Sequence, residues 1–293
     1  MTGNRKAVRC LICGLIVLSV AALVGCAGKK MRIKTSEGVI LEYRMPEGKA
    51  LVYEKAETST QSMKVMGQTM DTSTHKTTVF TVKPDGQKDG KQSLTITIDS
   101  MDAGLETPQG KFTADTEAAV GGTFDMMLST RGKESGLDGA DKVEYSLGMA
   151  GTRNMRPDFE TFFPDLPEGR VKVWDTWTTV DTMDVAESGM DVRIISENLN
   201  VLEAYETIGS RECAKVTVEI KGSVSGEGSQ GGADLKFNGD MTGKETWYFD
   251  YAAGVFVKSS SEIAIVATVD VTGPQEMTIP VNQTMTMTAD LKE

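Results

Sequence analysis

The sequence predicts an all-β fold: one large, strongly curved antiparallel sheet, a half-barrel or open barrel, with one or two short helices. Three observations predict it. Polar and apolar residues alternate strictly in Thr95-Ile96-Thr97-Ile98-Asp99, in Lys215 to Ile220 and in Thr284 to Thr288. Period two sends successive side chains to opposite faces of a sheet. Turn dipeptides separate such runs, and only Thr116–Ser129 and Pro157–Phe163 invite helix.

The first 25 residues stand apart from this pattern. Arg5, Lys6 and Arg9 precede an uncharged, mostly apolar run of 15 residues, Cys10 to Val24, and no acid occurs before Glu37. A basic start followed by about 7–15 apolar residues is the pattern of an export signal, and a bilayer span wants about 20. The run ends in Leu23-Val24-Gly25-Cys26, which resembles the lipobox of bacterial lipoproteins. The resemblance implies cleavage between Gly25 and Cys26 and diacylglycerol on the Cys26 thiol, with palmitate-type acylation of the new amino terminus. Several acyl chains anchor stably where one is marginal. It also implies a cell-envelope location, with Ala27 favouring the outer membrane in a diderm organism.

Without residues 1–25 the chain keeps 268 of its 293 residues, with 28 Lys and Arg against 42 Asp and Glu, a formal charge of −14. Such a body repels phosphate backbones, so no nucleic-acid partner is expected. Cys10 and Cys13 leave with the signal and Cys26 takes lipid. Cys213 alone remains, in a strand-like context, and one thiol cannot form an internal disulfide. The expectation is a buried structural cysteine.

Two β-rich halves are expected, 34–147 and 170–293, preceded by a tether at 26–33 and joined by the Pro- and Phe-rich connection 148–169. Both halves share a coarse plan of long strand, glycine turn and long strand, so a pseudo-repeat is expected. Met66-Gly67-Gln68 separates strands of about 50–65 and 69–83. Pro84-Asp85-Gly86 and Lys88-Asp89-Gly90 are expected to close the next hairpin. Thr107-Pro108-Gln109-Gly110 reads as a β-turn, and Asn238-Gly239 as a tight one. Phe159, Phe162 and Phe163 in the connection are expected to plug one end of the core.

Met66-Gly67-Gln68-Thr69-Met70 with Thr97-Ile98-Asp99, and Phe163-Pro164-Asp165-Leu166-Pro167 running into Val173-Trp174-Asp175-Thr176-Trp177, are similar to a group of β-rich exported bacterial proteins, which often carry Gly in place of Trp174. That likeness brings no activity with it. Trp247-Tyr248-Phe249-Asp250 and Gly254-Val255-Phe256-Val257-Lys258 resemble a strand–turn–strand of the curved half-barrels that carry lipids or lipoproteins across the envelope.

Catalytic constellations find little footing. Gly226-Glu227-Gly228-Ser229-Gln230-Gly231 has dinucleotide-loop spacing, but a strand-like run follows in place of the required helix, so a hairpin loop is expected. His75 is the one histidine and sits mid-strand, leaving no second imidazole for a zinc site. Asp138, Asp141 and Glu144, or Asp181 and Asp184, offer paired acids, with a solvated face as the default. The 17 methionines stand out. They suit an adaptable apolar surface better than a copper site. The leading expectation is a non-catalytic lipoprotein without cofactor or metal. Its concave face would take a hydrophobic or lipid-like ligand, with Met126, Phe162, Trp247 and Phe256 as candidate contacts. A structural or protein-interaction lipoprotein is the alternative, and an acid-based glycan hydrolase ranks below both.

Overall fold

The computed structural model describes residues 37–187, 190–230, 232–273 and 276–292. In chain order the elements are β1 (Val39–Ile40), β2 (Leu51–Val65), β3 (Gln68–Lys88), β4 (Lys91–Thr107), β5 (Gly110–Thr113), β6 (Thr123–Leu128), β7 (Glu134–Ser135), β8 (Glu144–Ser146) and β9 (Thr152–Asn154). Then follow the single-turn helix α1 (Arg156–Phe159), β10 (Arg170–Val171), β11 (Thr176–Glu187), β12 (Met190–Ile208), β13 (Arg211–Gln230), β14 (Ala233–Asp250), β15 (Val255–Thr272) and β16 (Met277–Lys292). The expected all-β class holds: one antiparallel sheet of 12 strands dominates and is not closed by strand pairing. The export signal and Cys26 lie outside the described residues.

Strand order is β11-β12-β13-β14-β15-β16-β2-β3-β4-β6-β7, with β5 on the side of β4. The two sequence halves therefore share one sheet, because β16 pairs with β2 from Val281↔Met63 to Lys292↔Val52. Laid flat, eleven strands would hold the end strands about 48 Å apart at about 4.8 Å per step. Instead Lys133, in the loop between β6 and β7, donates to Asp181 of β11 at 2.9 Å. The sheet must curl until its ends lie one side chain apart. Glycine permits the bend: a Cβ on Gly226 would stand 2.8 Å from the Asp191 carbonyl of the neighbouring strand, so β13 approaches β12 too closely for any other residue.

The core is densest in one half of this curl, where the chain caps itself, and continues through Met241, Ala267, Val224 and Val281 into the other. From Val39 to Met45 every second residue is buried, and Gln92 accepts from the Met45 amide at 3.1 Å while donating to its carbonyl at 2.9 Å. The 155–166 stretch enters the curl as the expected plug. Phe162 packs on Tyr53, Phe80 and Phe256 at ring separations of 5.0–5.6 Å, and Phe159 packs on Phe80 and Phe124 at 4.9 and 5.0 Å. Such edge-on pairs add about 0.5–1.5 kcal/mol each beyond their burial.

Several local expectations need correction. Asn238-Gly239 lies inside β14, not in a turn: Gly239 is there because a Cβ would collide with Ala267 of β15. Pro84-Asp85-Gly86 stays within β3 as a bulge, since Pro84 pairs Leu94 and Gly86 pairs Ser93. The hairpin turns at Asp89-Gly90, both at positive φ. Gly226 to Gln230 is strand, not loop, and Gly231 falls outside the described residues. Thr116–Ser129 contributes β6 in place of a helix, because Phe124, Met126 and Leu128 alternate into the core.

Candidate ligand face and the polar seam

The plug ends partway along the strands. Beyond it the same face of the sheet continues, with Val224, Met241, Ala267 and Val281 buried and Met63, Ile194, Phe237 and Met285 half-buried against the core, and the cross-strand register identifies its residues. Met183, Ile194, Val224, Gly239, Ala267, Val281, Met63 and Met70 lie side by side along one row from β11 to β3. Met285 and Met287 follow on β16 toward the plug, and Met190, Met241 and Met277 share this face on β12, β14 and β16. Eight of the 17 methionines are thus gathered on one surface. Phe237 of β14 lies over Gly226, and Leu235 over Gly228, so large side chains face bare backbone. Most of this face is half-buried, while the opposite face of β14 presents exposed Asp234, Lys236, Asn238 and Asp240. The apolar side is inside and the polar side outside. A sheet facing hydrocarbon needs the reverse. Among the described residues no helix is long and apolar enough to cross a membrane.

The four residues expected to touch a ligand sit elsewhere. Met126, Phe162, Trp247 and Phe256 are buried in the plugged half, with no more than 8 % exposure, against the chain's own side chains. They are bulky and apolar enough for either role, and alternation alone does not tell a position under the plug from one further along the same face. The methionine spacing was the sequence signal for the open half.

A sealed ionic cluster lies beside the plug. Lys55 of β2 and Lys76 of β3 both donate to Asp158 of α1 at 2.8 Å, with Glu57 at 3.8–3.9 Å from both ammonium groups. Burial alone would raise the Asp158 carboxyl. The two lysines together outweigh it and hold it well below the usual carboxylate range. Asp158 thereby fastens the plug to the sheet.

A second polar group fills the seam between the sheet's ends. Lys133 bridges Asp165 at 2.5 Å and Asp181 at 2.9 Å, and Glu134 accepts the Phe163 amide at 2.8 Å. Around a cavity of about 70 Å³ stand Glu134, Asp165, Asp181 and Glu245, with Asn198, Asn200 and Trp247. Burial raises Glu134 well above the carboxylate range, against the opposing Phe163 amide. Burial lifts Glu245 to about 7, a hydrogen bond from Ser259 opposing and the Asp181 charge adding. Asp165 is raised for the same first reason, with Lys133 opposing. Ligand pockets run to about 300–1,000 Å³, so this void has no room for a sugar ring.

Of the remaining expected acids, Asp181 and Asp184 diverge, while Asp138 and Asp141 meet only on a shared arginine. Asp181 faces the interior of β11, whereas Asp184 faces outward and pairs with Arg193 at 2.7 Å. Asp138 and Asp141 flank Arg156 at 3.6 and 2.8 Å. His75 is exposed on β3, 3.5 Å from Asp102. Among the described residues no three His, Cys, Asp or Glu side chains gather as a metal site. Cys213 is buried, and burial pushes its thiol up to about 12.

No family model matches the chain, and no curated relative matches it either. Among solved structures, a protein described as exported, with a YmcC-like fold, from Bacteroides fragilis is 12 % identical, with 86 % of this chain and 97 % of that one covered and a TM-score of 0.23. OccK9 (OpdG) of Pseudomonas aeruginosa is 8 % identical over 85 % and 100 %, with a TM-score of 0.22. An outer membrane channel from Pseudomonas putida F1 is 8 % identical over 85 % and 97 %, at 0.21. Scores this low record abundant antiparallel strands and carry no argument about function.

Proposed function

We propose that this chain is an envelope lipoprotein, anchored through Cys26, that holds an acyl chain or similarly shaped hydrophobic molecule on the open half of its curled sheet without chemically changing it. The observation that carries this reading is the row of methionine and aliphatic side chains facing inward beyond the plug, five of whose eight members, Met63, Met70, Met183, Ile194 and Gly239, are only half-buried. Methionine is flexible and polarisable, which suits a ligand whose shape varies along its length. Sequence features support the envelope setting: the basic and apolar leader, the Leu23-Val24-Gly25-Cys26 box, and Ala27 favouring the outer membrane.

The test is a fluorescent fatty acid titrated into the mature chain, with native mass spectrometry of the freshly purified protein. Saturable binding that is lost in Phe237→Glu and kept in an outward-facing control, Lys236→Glu, supports the reading. A folded chain that carries no lipid and binds none sinks it. Palmitate labelling in cells, compared with Cys26→Ala, tests the anchor separately.

A protein-interaction role is the second reading, favoured by one feature. Among the described residues β11 pairs only with β12, and outward-facing Val180, Ile195 and Leu199 near that edge are 57 %, 41 % and 41 % exposed. Unpaired strand edges accept further strands. Cross-linking from Val180→Cys in intact cells, giving a discrete heterologous adduct in place of lipid-binding activity, would favour it.

A further inference from the structure

Trp174 is 71 % exposed and sits at φ +76°. That backbone region is an outlier for any bulky residue, and the two other non-glycine residues there, Met66 and Asp89, precede glycines in two-residue hairpin turns. Trp174 has no such excuse. Its amide donates to the Leu202 carbonyl at 2.7 Å, and Leu202 donates back to Asp175 at 3.1 Å. Lys172 and Asp175 close the turn through the Asp175 carboxylate at 2.8 Å and the Lys172 carbonyl at 2.9 Å. A rigid loop therefore holds an indole out in solvent in a conformation that glycine would adopt more readily.

This loop stands where the described chain begins. Val39 pairs with Val171, Arg170 donates to the Gly38 carbonyl at 3.0 Å, and Ile40 beside it is 38 % exposed. Glu37 follows Cys26 by only eleven positions, and the sequence between carries Lys29, Lys30, Arg32 and Lys34 with no acid. In the loop itself Arg170 and Lys172 stand against Glu37, Glu168 and Asp175, so the positive excess lies in the sequence between Cys26 and Glu37, in a chain of formal charge −11. Basic segments beside a membrane attachment seek anionic headgroups, and tryptophan settles at the boundary between headgroup and hydrocarbon.

We infer that Ile40, Arg170, Lys172 and Trp174 form a membrane-contact surface. It seats the plugged end of the body on anionic lipid headgroups and leaves the open half turned away from the bilayer. The inference rests on the Cys26 anchor, which brings this corner to the membrane.

The experiment uses the mature chain from residue 26 with Cys26→Ser, so that no covalent lipid contributes. It is mixed with vesicles of equal parts phosphatidylcholine and phosphatidylglycerol, and with vesicles of phosphatidylcholine alone. The expected result is co-sedimentation with the mixed vesicles and quenching of indole fluorescence by brominated phosphatidylcholine. Trp174→Gly should bind about tenfold more weakly, while Trp174→Phe should keep binding and lose the quenching. Glycine suits φ +76°, so Trp174→Gly should melt no lower than the parent, and lost binding then cannot be ascribed to unfolding. Equal binding by the parent and Trp174→Gly overturns the proposal, as does a folded parent that binds neither vesicle. Palmitate labelling of the unmodified chain decides the Cys26 anchor by itself: a labelled chain whose Cys26→Ser form ignores vesicles keeps the anchor and loses this surface.

Discussion

Replacing Asp158 by asparagine tests how the plug is held. The carboxylate sits between Lys55 and Lys76, and the three side chains are only 8–17 % exposed. A neutral amide in its place would leave two recessed ammonium groups facing each other, offset by Glu57 at 3.8–3.9 Å and by the Tyr145 ring 5.9 Å from Lys76. Breaking a buried ion pair by removing one partner costs about 3–5 kcal/mol. With Glu57 still present the lower end applies, about 3 kcal/mol. For a domain of this size 1 kcal/mol moves the melting temperature by about 2–4 °C, so a drop of about 6–12 °C is expected. The sign with pH is fixed by the direction of the Asp158 shift. Its folded-state pKa lies below the unfolded value near 3.8, so its contribution is complete above that value and is lost as pH falls through the folded pKa. Near-UV circular dichroism, which reads the packed aromatic rings, should show D158N melting lower at pH 7 and the gap narrowing in acid. A variant that melts within about 1 °C of the parent at pH 7 would refute the role given to this cluster.

Glu245→Gln should act in the opposite sense. Its carboxyl titrates near 7 in place of 4.5, so the ionised form weakens the fold above pH 7 and costs nothing below about 4.5. At pH 8 the variant should gain about 1–2 kcal/mol after discounting residual solvent contact, and should match the parent at pH 4 in urea titrations. Gly222→Ala should lose about 1–3 kcal/mol, because the added methyl would strike the Ile195 carbonyl; unchanged urea stability would show that β12 and β13 separate easily. Cys213 should resist an aromatic disulfide reagent in the native chain and react at once in denaturant. Fast native labelling would mean that the 211–216 end of β13 opens.

Much of the fold was legible because period-two alternation is a local signal. Strand register across the halves was not, since nothing in Thr284 to Thr288 says that it will pair with 56–60, more than 220 residues earlier. The plug was legible from Phe159, Phe162 and Phe163, yet its fastening was not. Lys55, Lys76 and Asp158 look like surface charges until curvature carries them inward. Asn238-Gly239 and Gly226 to Gly228 misled for one physical reason: glycine serves a turn through its φ freedom and a tight sheet through its missing Cβ, and the sequence spells both alike. The ligand-face guesses at Trp247 and Phe256 selected bulk, whereas the half-buried inward face beyond the plug is marked by methionine beside glycine.

The plug also bears on the open half. A sheet with two free ends curls fully only if something joins them, and among the described residues no strand does. Lys133 and the amide of Phe163 span the gap, and Phe162 with Asp158 grips β2, β3 and β15 from within. The curvature of the methionine face is therefore set by contacts in the other half, along strands that run through both. Stiff strands carry that constraint where no plug residue reaches. A ligand lying across β14, β15, β16 and β2 would in turn hold those strands at the curvature that the plug requires. Binding and plug docking then stabilise each other, and by reciprocity any variant that loosens the plug must weaken the ligand to the same extent that the ligand restores the plug.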